Sequence, residues 1–132
     1  MRKRVVILAS GAGSLAQAII DATDLEIQIV AVVSDTEGAP VLDRAKQANV
    51  NTSVIQLKGD RAAWDKQLFD QVDQYQPDLV VSAGFMKILP SDFVNTFPTI
   101  NSHPALLPEF PGAHAVRDAL AAGVSVTGTT VH

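Results

Sequence analysis

Short apolar runs alternate with helix-like segments along this chain, and that βαβ rhythm is the feature that most narrows its fold. Val5-Val6-Ile7-Leu8-Ala9 and the stretch from Ile27 to Val33 are nearly continuous aliphatic runs, the pattern of strands covered on both faces. Further strand candidates are Thr52 to Gln56, Leu79 to Ala83, Thr99 to Ser102 and Ser125 to Val131. Helix candidates are Ser14 to Ala22, Val41 to Ala48, Arg61 to Tyr75, a short piece from Ser91 to Phe97, and Ala115 to Ala122. Asp60 is placed to cap the third helix and Ser91, just after Pro90, the fourth. The reading is α/β: an open, mostly parallel Rossmann-like sheet with helices on both faces.

Composition supports a globular domain. At 132 residues and 47% apolar content, the chain has the length of one domain, residues 1–132, and enough apolar surface for a core. A formal charge of −4 argues against an extended nucleic-acid or membrane surface, so an anion would be bound locally. The basic opening Met1-Arg2-Lys3-Arg4 imitates a signal peptide, but the apolar run after it stops at Ser10-Gly11. With no cysteine there is neither a disulfide framework nor thiolate chemistry, which fits a cytoplasmic protein.

Ser10-Gly11-Ala12-Gly13-Ser14 joins the first strand to the first helix, where backbone N–H groups and the helix dipole favour an anion. Gly11 and Gly13 allow close backbone approach. The run Gly11-Ala12-Gly13-Ser14-Leu15-Ala16 also satisfies a relaxed dinucleotide fingerprint, with Asp35 after the second strand at a spacing of about 20 residues. A glycine turn without any ligand is the third reading, since glycine is the default residue for tight strand-to-helix turns.

Asn101 and His103 stand two apart at the end of the fifth strand candidate, so an extended backbone turns both to one side. Pro104 pushes His103 toward extended geometry. A histidine exchanges protons near neutral pH and an asparagine amide donates to an oxyanion, a combination suited to acyl-type transfer. Individually, either residue could serve only a strand end or the core. Ser102 faces the other way, so no Ser-His triad is built here. His114 and His132 with Asp118 or Glu109 lack tight metal spacing, and no metal is expected. Phe85-Met86-Lys87-Ile88-Leu89-Pro90 either packs under the next helix or walls a flat ligand. Arg61, Asp65 and Lys66 read as a solvated helix face with Trp64 turned inward.

Four segments together carry a family resemblance: Leu8-Ala9-Ser10-Gly11-Ala12-Gly13-Ser14, Ala83-Gly84-Phe85-Met86-Lys87-Ile88-Leu89, Asn101-Ser102-His103-Pro104-Ala105-Leu106-Leu107-Pro108, and Gly128-Thr129-Thr130-Val131-His132. In that order they resemble the phosphoribosylglycinamide formyltransferase family, and the likeness demotes the dinucleotide reading. The resemblance implies transfer of a formyl group from the co-substrate 10-formyltetrahydrofolate to glycinamide ribonucleotide in purine biosynthesis. By it, Gly11, Gly13, Ser14 and Leu15 hold the ribose phosphate. Met86, Lys87, Ile88 and Leu89 line the folate pocket together with Asn101, and Arg61 lies near the glutamyl end. Asn101 and His103 form the catalytic couple. Many relatives carry asparagine at the positions of Ala12 and Leu15, so phosphate binding here leans on backbone amides, Ser14 and the helix terminus.

The resemblance also implies a catalytic aspartate a few residues past the equivalent of His132, with further strands and a closing helix. On that reading the chain is an amino-terminal portion, incomplete at its carboxyl end, with at most weak transfer activity of its own and a tendency to self-associate as a homo-oligomer through uncovered apolar surface. Methionyl-tRNA formyltransferase and formyltetrahydrofolate hydrolase share the Asn-x-His arrangement and stand as alternatives, beside a noncatalytic nucleotide-binding module. The acidic charge balance, with neither a nucleic-acid nor a membrane surface, disfavours the tRNA enzyme.

Overall fold

Val5 through Leu8 are flanked on both sides by other apolar runs, and the first strand accordingly lies inside the sheet. The computed structural model describes residues 2–103, 122, 130 and 131, which fall into two compact units, 1–99 and 100–132. In the first unit β1 (Lys3–Leu8), α1 (Ser14–Asp21), β2 (Ile27–Ser34), α2 (Pro40–Gln47), β3 (Asn51–Val54), α3 (Arg61–Gln74), β4 (Leu79–Ser82) and α4 (Ser91–Thr96) follow one another. The strands lie in the order β3-β2-β1-β4, and each neighbouring pair is parallel. Val5 opposes Ile29 while Val6 opposes Ala31, so β2 carries an extra residue at Val30.

Strand alternation distributes β1 between two cores. Val6 and Leu8 pack with Val80 of β4 and with Trp64, Leu68, Val72 and Phe93, the buried stripes of α3 and α4. Val5, Ile7 and Ala9 pack with Val32 of β2 and Val81 of β4 and with Ala16, Val41 and Ala45, buried residues of α1 and α2. Helices therefore cover both faces of an open parallel sheet, as the alternating runs require.

Local chemistry sets the helix ends. Asp60 accepts from the backbone N–H groups of Ala62 (3.3 Å) and Ala63 (3.2 Å), the expected cap of α3. At its other end the Arg4 guanidinium donates to the Tyr75 carbonyl (2.6 Å), where a cation also complements the helix dipole. The expected cap at Ser91 is not formed: Pro90 is the N-cap with extended ψ of 160°, Ser91 is already helical, and no side chain caps the turn. Helix α2 begins one residue early, at Pro40, because a proline lacking an N–H suits the first turn.

The second unit contains most of β5 (Thr99–His103), which pairs antiparallel with β6 (Thr130–Val131) through Ser102 opposite Val131 and His103 opposite Thr130. The expected helix from Ala115 to Ala122, apart from Ala122 in a turn, and residues 125–129 of the expected last strand lie outside the described residues, as do His114, His132 and the segment 104–112.

Candidate active site

The carboxyl ends of β1, β2 and β4 converge, and the chain leaves each through a turn rich in small residues. After β1 the backbone passes through Ser10 and Gly11 to Gly13, the N-cap of α1, which sits at φ 81° and ψ 27°. A side chain cannot stand here. A β-carbon on Gly13 would lie 2.4 Å from Val41 Cγ2 and 2.9 Å from Val41 Cα, so α2 presses directly on the turn. Two loop carbonyls are tied to α2 as well. Val41 N–H donates to Gly11 O (3.1 Å) and Arg44 Nε donates to Ala12 O (2.7 Å).

With those carbonyls occupied, the polar groups left at the turn include the first N–H groups of α1. No side chain caps this helix and no acidic residue stands in its first turn, so Ser14, Leu15 and their neighbours present an uncompensated positive helix end. Gly11, Gly13, Ser14 and Leu15 are thus together in one anion-compatible turn, with Leu15 exposed.

Beyond β4, Gly84 at φ 74° starts a segment whose side chains alternate in exposure. Phe85 is buried and stacks on Trp64 with ring centroids 6.2 Å apart, and Lys87 turns inward, whereas Met86 and Ile88 are 56% and 88% exposed. Phe85 packs as the core reading of this segment expects, while Met86 and Ile88 face outward. Arg61 reaches the same wall, pairing with Asp65 at 2.8 Å and donating to the Ile88 carbonyl at 2.6 Å. Exposed apolar side chains beside a guanidinium suit a flat ring system bearing a carboxylate.

The wall and the glycine turn meet at Ser10, whose Oγ accepts from Met86 N–H (2.9 Å) and whose N–H donates to Gly84 O (3.2 Å). Asp35, just past β2, forms an ion pair with Lys87 and accepts from the Thr36 hydroxyl (3.2 Å). Burial raises the Asp35 carboxyl, but hydrogen bonds from Lys87 and Ser10, the Lys87 charge and the Thr36 hydroxyl outweigh it and hold the group below its ordinary value. The sequence offered Asp35 as the acid of a dinucleotide site. Its side chain is 4% exposed and engaged by Lys87, so it does not present a carboxylate to a ribose.

The ion pair and the role of Ser10 escape sequence reasoning because Asp35 and Lys87 are 52 residues apart and neither carries a local pairing signal. An open depression beside α3, lined by Asp65, Lys66, Phe69 and Asp92, lies away from the glycine turn, and Lys66 there pairs with Asp70 at 3.0 Å. Among the described residues no group of three or more His, Cys, Asp or Glu side chains could hold a metal ion. No described helix is long and apolar enough to cross a membrane. In the second unit, Asn101 and His103 lie two positions apart on β5, and Asn101 is half-buried.

A family profile described as formyl transferase matches residues 3–132. The chain belongs to the formyl transferase family. Among relatives in this family, the phosphoribosylglycinamide formyltransferase of Mycobacterium tuberculosis is 47% identical over 135 residues, which cover 98% of this chain and 62% of the relative. That of Escherichia coli is 42% identical, with 97% and 64% covered. The chain therefore spans rather less than two thirds of the length of these curated relatives. Glycinamide ribonucleotide transformylase 1 from Geobacillus kaustophilus superposes with a TM-score of 0.92 at 36% identity, covering 100% of this chain and 74% of that one. The likeness extends the α/β reading from pattern to family: this chain has the Rossmann-like arrangement of its solved relatives.

Proposed function

We propose that the protein carrying this sequence transfers a formyl group from 10-formyltetrahydrofolate to the glycinamide amine of glycinamide ribonucleotide, in the cytoplasm and as a step of purine biosynthesis. The observation that carries this reading is the extent of the family match: residues 3–132 include the glycine turn, the wall and the Asn-x-His strand. The acceptor class is that of the relatives, which are phosphoribosylglycinamide formyltransferases.

In this reading the ribose phosphate binds the first N–H groups of α1, with Gly11 and Gly13 allowing close approach and Ser14 and Leu15 bounding the site. The folate ring lies on the wall formed by Met86, Lys87, Ile88 and Leu89, with Arg61 toward the glutamyl carboxylates. The amine attacks the formyl carbon, a carbon–nitrogen bond forms, and the carbonyl oxygen takes the charge of a tetrahedral intermediate. Asn101, which also borders the folate, donates to that oxyanion; His103 stabilises it and assists movement of the proton from the attacking amine to the departing folate nitrogen. Cleavage of the bond to the folate nitrogen then releases tetrahydrofolate and the formylated ribonucleotide. Holding both substrates in one crevice supplies proximity.

The test follows labelled formyl from 10-formyltetrahydrofolate into glycinamide ribonucleotide with the intact protein that carries this sequence. Label appearing in the ribonucleotide supports the reading. Label appearing only as free formate, at the same rate without the ribonucleotide, replaces it with the hydrolase reading.

A further inference from the structure

The segment Gly84 to Leu89 has an unusual number of internal ties for an exposed wall. Gly84 O and Met86 N–H are both held by Ser10 at 3.2 and 2.9 Å, Ile88 O is held by Arg61 at 2.6 Å, and between them Lys87 reaches back to Asp35. Neither end of that ion pair is a surface group: the Lys87 and Asp35 side chains are 18% and 4% exposed. Solvent-exposed pairs contribute little, but a desolvated pair cannot lose one partner without stranding the other charge. Further contacts surround it. The Lys87 ammonium lies 5.1 Å from the Trp64 ring centroid, and the Arg61 guanidinium lies at the same distance from that ring.

This arrangement has a geometric consequence. Residues 85 and 87 are drawn inward, by Trp64 and by Asp35, while the side chains of 86 and 88 stay exposed. The exposed Met86 and Ile88 side chains are therefore presented by an inward anchor rather than by contacts of their own. Because Ser10 touches Met86 N–H and Gly84 O, it ties the wall to the glycine turn.

From this we infer that the Asp35–Lys87 pair is an internal strut that sets the register of the Gly84–Leu89 wall against the Ser10–Leu15 turn. Lys87 is then a positioning residue, its ammonium acting through Asp35 and not on a ligand. The inference rests on the proposed function for the identity of the ligand on the wall. It adds that folate affinity depends on an ion pair whose charged groups face each other and not the folate.

The experiment uses the intact protein with Asp35→Asn, Lys87→Met, the double variant, and Lys87→Arg. Calorimetry measures tetrahydrofolate and glycinamide ribonucleotide separately, and hydrogen exchange follows residues 84–89. Each single variant is expected to weaken tetrahydrofolate binding about tenfold while leaving ribonucleotide binding within about twofold, since a misplaced wall penalises only the ligand lying on it. The double variant should be no worse than either single one, because both remove the same strut. Lys87→Arg, which keeps the charge, should restore most of the affinity, and exchange should rise in 84–89. Unchanged tetrahydrofolate affinity in folded variants, or equal loss for both ligands, overturns the strut while leaving the functional reading in place. Failure of the unaltered protein to bind tetrahydrofolate overturns that reading and the wall's role with it.

Discussion

Val41 of α2 stands where the β-carbon of any residue other than glycine at position 13 would have to go, with Cγ2 at 2.4 Å and Cα at 2.9 Å from that point. Gly13 also has φ of 81°, a region that L side chains rarely adopt. The turn proposed to hold phosphate is thus shaped by helix packing as well as by backbone freedom.

Gly13→Ala is accordingly expected to destabilise the protein by about 2 kcal/mol or more, combining left-handed strain with overpacking. A lowered urea midpoint at unchanged slope would report this. Adding Val41→Ala should not rescue it, because the clash with the Val41 backbone and the positive φ both persist. Full recovery in the double variant would show that the Val41 side chain alone was the obstacle.

Trp64 performs two functions that phenylalanine can only half reproduce. Its indole N–H donates to the Ile55 carbonyl at 2.7 Å in a buried position, and its ring carries the Phe85 stack and both cations. Trp64→Phe keeps much of the apolar contact but leaves the buried carbonyl without its donor, an expected loss of about 1–3 kcal/mol. Thermal and urea unfolding measure it. A change within error would mean that another donor reaches Ile55 O.

Asp35 makes stability pH-dependent in a definite direction. Its folded-state pKa is lowered, so its contribution is fully present above the ordinary value of 3.8 and is lost as pH falls through the lower folded value. The difference in unfolding free energy between the unaltered protein and Asp35→Asn should therefore be constant above about pH 5 and shrink as the medium is acidified toward about pH 3. Urea titrations across that range give the curve. A difference that grows on acidification would mean that burial, and not Lys87 and the hydroxyls, dominates this carboxyl.

The fold was legible where one local signal sufficed. Val5 to Ala9 and Ile27 to Val33 read as doubly covered strands because burial on both faces leaves no polar alternation, and Asp60 read as a cap because its carboxylate acts on the next turn. The role of Asp35 stayed open in the sequence because a carboxylate after the second strand looks the same whether it meets a ribose or a lysine 52 residues away. Ser91 was misread because proline at 90 already has the extended backbone a cap requires, which moves the helix start by one residue. At the candidate site, the glycine turn was visible from its composition, but its contact with Val41 was not, since that depends on how α2 lies over α1.

Asn101 gives the sharpest kinetic expectation. It lies half-buried on β5, two positions from His103, and its proposed role is to donate to an oxyanion that exists only after the amine has attacked. An interaction made only in that state lowers the barrier without tightening substrate binding. Asn101→Asp keeps the shape, removes the donor and places negative charge near the developing oxyanion, so kcat should fall by about 10²- to 10³-fold or more. KM for both substrates should change far less, and because Asn101 also borders the proposed folate pocket, a modest rise for folate is compatible with the role. Steady-state kinetics on the intact protein separate the cases: a folate KM that rises while kcat stays put would reassign Asn101 to ground-state folate binding and leave the oxyanion to another donor.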